Sequence, residues 1–489
     1  MINESVKQQL SCKELLTDKA YINGTWCYSD DEKSIDIINP STQEVVATVP
    51  DLTDEQVISS IELADEAWKS FKKTSASERS SMLMRWYQLM MDNADDLGLI
   101  MTLEQGKPLP EAKGEITYAA SFIKWFAEEA RRVHGETHQN PSPTQRVMTI
   151  KQPVGVCAAI TPWNFPAAMI TRKCAPAIAA GCPIIVKPAD LTPLTALALG
   201  VLAEKAGIPA GIFNVITGDA ARIGNQLTAS PTVRKITFTG STRVGSLLME
   251  QSAPTIKRLS LELGGNAPFI VFDDADIPQA ITGVMASKFR NAGQTCVCAN
   301  RILVHDSIYE KFTEALISAV SELKVGDGLE DGVTIGPLIN KAAVEKVKHH
   351  IDDALAKGAN LVHGEIPSVD SQFVIPTIIT DVTIDMIVSQ EETFGPLAPL
   401  FRFTTDEEAI QIANNTPYGL GAYYYTQNLK RAWHVGEALE FGMIGLNSGV
   451  ISMDSAPFGG IKQSGLGREG SNLGIDEYLE VKAWHMGGL

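Results

Sequence analysis

From about residue 153 the chain alternates short β-branched runs with longer helical patterns, and no other feature constrains the fold as strongly. Residues 154–160 read as a strand, 166–180 as a helix stopped by Gly181, and 183–187 as a short buried strand. Thr192 is placed to cap, and Pro193 to open, a helix that runs to Ala206 and stops at Gly207. Strands follow at 212–216, 235–239 and 259–263, with Gly240-Ser241 leading into a helix from about Val244. Such alternation predicts a parallel sheet covered by helices on both faces. A second block begins after Gly264-Gly265. It has strands at 269–272, 301–304 and 419–426, and helices at 277–290, 307–323, 340–357 and 405–414. The chain is therefore expected to be an α/β protein of two lobes. Residues 140–150 and the tail 480–489 fit neither lobe and read as extended arms, of the kind that pair with another subunit's edge.

Composition narrows the function. The 489 residues are enough for two to four domains and a core that needs no staples. With 41 Lys+Arg against 58 Asp+Glu the formal charge is −17, which repels phosphate backbones and speaks against nucleic acid. The apolar stretch 174–186 is too short to span a bilayer and contains two prolines. The N-terminal residues lack the basic-then-apolar order of a signal peptide, and seven thinly spread cysteines fit reduced thiols, so a cytoplasmic location is expected. There is no CxxC or HExxH, the eight histidines are scattered, and no metal site is expected.

Gly465-Leu-Gly-Arg-Glu-Gly470 matches G-x-G-x-x-G, but only 19 residues follow it, too few for a dinucleotide-binding βαβ unit, so it reads as a structural loop. Better nucleotide signals lie at strand ends, where open α/β sheets bind ligands. Lys187 ends a buried strand and can donate to ribose hydroxyls. Asp190, three residues on, can accept from a ribose 2′-OH and would repel a 2′-phosphate. Gly240-Ser241 sits between a strand and a helix, where a pyrophosphate can approach the backbone.

The segment Gln294-Thr-Cys296-Val-Cys298 is the most informative. A lone cysteine is usually a buried structural one, but Asn291, Gly293 and Gln294 take Cys296 out of an apolar core run. A thiolate there would be a strong nucleophile. Glu262 lies inside the apolar run LSLELGG, where burial raises a carboxyl and suits it to general-base work. Asn164, in TPWNFP, can donate its amide to a developing oxyanion.

TPWNFP, VKPAD, FTGST, LELGGN, GQTC, EETFGP and PFGGIKQSGLGRE occur in this order over essentially the whole chain, which resembles the aldehyde dehydrogenase superfamily. The finer pattern SKFRNAGQTCVCANR, the TRK after TPWNFP and the ending GREGSNLGIDEYLE resemble the succinate-semialdehyde dehydrogenases, with glutarate-semialdehyde dehydrogenases close beside them. The resemblance implies two Rossmann-like doubly wound lobes and a small β oligomerisation arm. Residues 1–127 and 149–263 would bind NAD(P), 264–469 would be catalytic, and 128–148 with 470–489 would build the arm of a homodimer or homotetramer. It also implies roles. Cys296 would be the nucleophile, with Asn164 and the Cys296 N–H holding the oxyanion and Glu262 activating water. Lys187 and Glu392 would hold riboses, with Phe394 beside the nicotinamide ribose, Gly240 and Ser241 at the pyrophosphate, and Trp163 and Leu263 in local contacts. Asp190 keeps a negative charge where NADP users of the superfamily often carry Ser, so NAD is expected over NADP.

Arg172 and Lys173 interrupt an apolar stretch, and Arg290 lies six residues before Cys296. Internal salt bridges would explain them. The resemblance instead implies that Arg172, Arg290 and Ser452 hold the far carboxylate of a semialdehyde, which suits the planar fork of arginine. In related enzymes with C-V-C the two thiols form a disulfide that shuts the enzyme off, which would make Cys296 and Cys298 a redox switch. A cysteine hydrolase is the alternative of a different class, disfavoured by the nucleotide signals.

Overall fold

A computed structural model describes residues 2–140 and 142–488. Its first large sheet has eight strands in the order 25–27, 20–22, 213–215, 184–187, 156–160, 233–239, 258–262 and 465–466. The five middle strands run parallel and the outer ones antiparallel. Val156–Ile160 and Ile184–Lys187 are buried at every position, as strands with helices on both faces must be. The second sheet has seven strands, in the order 360–363, 377–380, 397–403, 299–305, 267–271, 421–425 and 443–446, and all but the first run parallel. The chain crosses from one sheet to the other between Glu262 and Ala267.

The two expected arms pair with each other. Gln145–Pro153 and Leu479–Gly487 run antiparallel, from Leu479 opposite Pro153 to Gly487 opposite Gln145, and Thr137–His138 adds a third strand. Val481 and Trp484 stand exposed on this small sheet. Of the arm's residues, Pro141 and Leu489 lie outside those described.

The long helices Asp54–Phe71, Ala76–Asp92, Ala94–Gln105 and Leu109–Glu129 precede this small sheet in the chain. The first two open on capping boxes, Thr53 with Gln56 and Ser75 with Glu78. The apolar faces of the last three join those of Ala168–Ala180 and Leu194–Lys205 in one core, while Asp54–Phe71 packs Val57, Ile61 and Ala64 into a second core on the first sheet, and the second sheet has a separate core of its own.

Three local expectations change. Thr192 makes no cap. The Glu104 carboxylate accepts from the N–H groups of Leu194 and Thr195 instead, and so serves that helix N-terminus from another helix. The helix expected over 277–290 is α-helical only for Ile277–Val284. It then widens into a π-turn, Met285–Phe289, and breaks into left-handed backbone at Asn291, Ala292 and Gly293. Gly465–Leu466, expected within the second lobe, is hydrogen-bonded on the edge of the first sheet. A Cβ at Gly465 would lie 1.8 Å from the Leu261 carbonyl oxygen, which accounts for glycine in this loop.

Among the described residues, no helix is long and apolar enough to cross a membrane. None of their His, Cys, Asp and Glu side chains form a group of three or more able to hold a metal ion.

Candidate active site

Strand ends of the first sheet meet a loop of the second lobe around one cleft, with about 1160 Å³ of empty space open to solvent. Asn164 comes from the loop after Val156–Ile160, and Glu262 is the last residue of Arg258–Glu262. Cys296 arrives from the other side, beyond the π-turn and the left-handed residues 291–293. All three line the cleft. The approach is close: a Cβ at Gly265 would stand 2.8 Å from the Cys296 carbonyl oxygen, and one at Gly293 would stand 2.2 Å from that of Gly395.

Glu262 is buried, and neither carboxylate oxygen has a hydrogen-bond partner. Burial holds its carboxyl well above the usual range and Glu469 adds to this, while Lys173, Arg172 and Arg468 oppose it. Burial also pushes the Cys296 thiol up to about 12, with Glu392 adding to the rise and Arg172 and Arg290 opposing it. A base beside this thiol therefore matters more than its own acidity. Asn164 donates one amide N–H to the Gln294 carbonyl at 2.9 Å, which leaves its second N–H for the cleft.

The cleft continues over Trp163, Gly240, Ser241, Leu263, Glu392 and Phe394. Gly240 is pinned against its own strand, since a Cβ there would meet the Phe238 ring at 2.4 Å. Ser241, which lines the cleft, caps the helix Thr242–Ser252 by accepting from the Val244 N–H, so the positive end of that helix lies at the cleft wall. The Trp163 and Phe394 rings meet edge to face at 5.7 Å. Desolvation lifts the half-buried Glu392 carboxyl to about 8. A glycine, a capped helix N-terminus and an aromatic pair along one wall fit a dinucleotide. Lys187 ends the neighbouring strand. Its buried ammonium is taken up by Asp190 and by the Pro188 carbonyl at 2.8 Å.

Of the residues expected at the substrate's far end, Arg172, Arg290 and Ser452, none is among those that line this cleft, and Arg290 and Ser452 are half-buried. Arg172 is fully buried, ion-paired through Nε with Glu469 at 2.8 Å and stacked 3.9 Å from the Phe458 ring centroid. Lys173 pairs with the same Glu469 and donates to Thr239 Oγ1 at 2.6 Å. Arg290 has no carboxylate within ion-pair distance among the described residues and lies 5.2 Å from the Phe165 ring centroid. Ser452 shares a hydrogen bond with the Tyr118 hydroxyl. Cys298 is a free, buried thiol with Lys288 Nζ at 3.4 Å. Burial raises this thiol and the ammonium opposes that rise.

The sequence reading missed Lys107, Glu115 and Asn291, which surround Asn164 from behind. Lys107 lies in the turn before Leu109–Glu129 and Glu115 on the buried face of that helix, and neither stands out among the other charges of this segment.

The pattern that describes the aldehyde dehydrogenase family matches residues 26–484. The chain belongs to this family. Over 475 residues it is 56% identical to the NADP(+) succinate-semialdehyde dehydrogenase of Escherichia coli (strain K12), covering 97% of this chain and 98% of that protein. It is 55% identical over 474 residues to the glutarate-semialdehyde dehydrogenase of Pseudomonas putida, with 97% and 98% covered. A crystal structure described as an E. coli NADP dependent enzyme superposes with a TM-score of 0.97 at 55% identity, over 98% of this chain and 100% of that one.

These relatives overturn the expected preference for NAD over NADP, which rested on Asp190. NADP is the cofactor named for the E. coli protein and for the solved E. coli structure. The physical reason lies three residues upstream: the Asp190 carboxylate is spent on the Lys187 ammonium. A neutralised pair is no longer a free acid that repels a 2′-phosphate.

Proposed function

We propose that this aldehyde dehydrogenase oxidises succinate semialdehyde to succinate with NADP(+) through a thioester on Cys296. One observation carries the chemistry: the Glu262 carboxyl, with no hydrogen-bond partner for either oxygen, lines the same cleft as the Cys296 thiol. Solvent in the open cleft takes the thiol proton as Cys296 Sγ adds to the aldehyde carbon, so Glu262 is left as the carboxylate. The free N–H of Asn164 and the main-chain N–H of Cys296 hold the resulting oxyanion. Gly240, Ser241, Glu392, Phe394 and Lys187 would hold the cofactor, with Trp163 and Leu263 contributing local contacts. When bound, the nicotinamide supplies the hydride acceptor that lets the adduct become a thioester. Glu262 then takes a proton from the water that releases the acid.

The substrate assignment draws on the E. coli relative and on Arg290, a cation near the catalytic loop without an acid partner among the described residues. Glutarate semialdehyde is the second reading, favoured by the Pseudomonas putida relative and differing by one methylene. The exposed Val481 and Trp484 on the paired arms support assembly into a homo-oligomer, which we place in the cytoplasm. The test is NADPH formation from succinate semialdehyde, glutarate semialdehyde and butanal. A kcat/KM for succinate semialdehyde at least about tenfold above that for butanal is expected, equivalent to about 1.4 kcal/mol. Equal values for the two would remove the carboxylate site, and a higher value for glutarate semialdehyde would select the second reading.

A further inference from the structure

A cluster of buried charged and amide side chains stands behind the cleft and takes no part in the chemistry above. Lys107 and Glu115 are 2% and 5% exposed and form an ion pair. The Lys107 ammonium also donates to the main-chain carbonyl of Asn164 at 2.8 Å and lies 4.1 Å from the Phe165 ring centroid. The second oxygen of Glu115 accepts from the N–H groups of Ala167 and Ala168 at 3.0 and 3.2 Å. These amides open the helix Ala168–Ala180, which carries Arg172 and Lys173.

A ring of amides completes the cluster. Asn291 Nδ2 donates to the Asn164 carbonyl at 2.9 Å and to that of Gln294 at 3.3 Å. The Asn164 side chain donates to the same Gln294 carbonyl at 2.9 Å. Gln105 donates to Asn291 Oδ1 and accepts from the Lys107 N–H, each at 3.0 Å. The turn that carries Lys107 is itself fixed: Gly106 has φ +91°, and a Cβ there would meet Pro40 and Pro337 at 2.7 and 2.8 Å. Asn164 is thereby held at its main chain by two donors and at its side chain by one acceptor, so the direction of its free N–H is set.

A buried ion pair is a poor way to gain stability, because removing both charges from water costs about as much as the pair returns. Its geometry is what an apolar pair could not supply. Oxyanion donors act only when aimed within a few tenths of an ångström of the developing charge. We propose that Lys107, clamped by Glu115, is a positioning residue that aims the Asn164 carboxamide at the oxyanion of the Cys296 adduct. This rests on the reading of Asn164 as an oxyanion donor.

A double-mutant cycle tests it. Steady-state kinetics with succinate semialdehyde and NADP(+) are measured for the wild type, Lys107→Met, Asn164→Ala and the double variant, with the NADP(+) Kd from fluorescence titration. Lys107→Met is expected to lower kcat about tenfold or more while KM and Kd stay within about twofold, and to cost nothing further in the Asn164→Ala background. Additive losses, or an unchanged kcat in Lys107→Met, would overturn the proposal. If Asn164→Ala itself keeps the wild-type kcat, it is the oxyanion reading of Asn164 that fails. Glu115→Gln keeps an acceptor for Ala167 and Ala168 and only loosens the clamp, so it serves if Lys107→Met does not fold. It is expected to lower kcat several-fold with the same non-additivity, and an unchanged or additive result would be equally fatal to the proposal.

Discussion

Arg172 is ion-paired with Glu469 at 2.8 Å, and its guanidinium lies 3.9 Å from the ring centroid of Phe458, which lines the catalytic cleft. Arg290 has no such acid partner among the described residues. The two arginines therefore differ in what their removal does. Arg290→Ala is predicted to raise KM for succinate semialdehyde roughly tenfold to a hundredfold, the range for a lost charged hydrogen bond, and to leave butanal kinetics unchanged. Arg172→Ala leaves Glu469 facing Lys173 alone, so it is predicted also to lower the melting temperature. Parallel losses for both aldehydes in Arg290→Ala would return that residue to a structural role.

The raised Glu262 carboxyl gives the rate a pH dependence of known sign. A base must be deprotonated to act, so the acid-releasing step is predicted to speed up as pH rises through the raised pKa and then to level off. Single-turnover decay of the acyl-enzyme across pH measures this. Glu262→Gln is predicted to abolish the rising limb and slow the step about a hundredfold or more. A wild-type profile that is flat from acid to neutral pH would contradict the assignment.

His350 packs behind the same cleft. It is fully buried with Nδ1 3.1 Å from Thr393 Oγ1, and desolvation lowers its pKa from 6.5 to about 4. Between those values the unfolded chain binds a proton that the folded one refuses. The stability that the neutral ring allows is complete above pH 6.5 and is lost as pH falls toward about 4. The predicted loss is on the order of 2–3 kcal/mol. Urea unfolding of wild type and His350→Gln at both ends of this window checks it, since the variant is predicted to lose less.

The Lys187–Asp190 pair turns cofactor choice into a measurable quantity. The predicted outcome is a higher kcat/KM with NADP(+) than with NAD(+) at saturating aldehyde. Lys187→Ala is predicted to weaken both cofactors by about tenfold or more, because a charge-assisted donor at the strand end is gone. Undiminished binding of both by that variant would take Lys187 out of the cofactor site.

What was legible in the sequence follows from how local its cause is. The strands around 156–160 and 184–187 could be read because a strand buried on both faces needs a nearly continuous apolar run. Glu262 could be singled out because a charge inside such a run is conspicuous. The helices of residues 54–129 went unread although their capping boxes were present. The π-turn at 285–289 has no local marker, and the path after it is crowded by distant parts of the same lobe, Gly395 against Gly293 and Cys296 against Gly265. Glu104 replaces Thr192 as a cap, and Lys107 reaches Asn164, across 90 and 57 residues of chain, separations that no periodicity encodes. Asp190 misled because its charge was read alone while its partner was Lys187.

In the proposed reaction Cys296 carries the acyl group and Glu262 releases it. Intact-protein mass spectrometry of Glu262→Gln, quenched after mixing with NADP(+) and succinate semialdehyde, tests both halves at once. The predicted result is a succinyl adduct that accumulates, maps to Cys296 and is absent from Cys296→Ala. Acid formation at the wild-type rate without any adduct, or by Cys296→Ala, would contradict it.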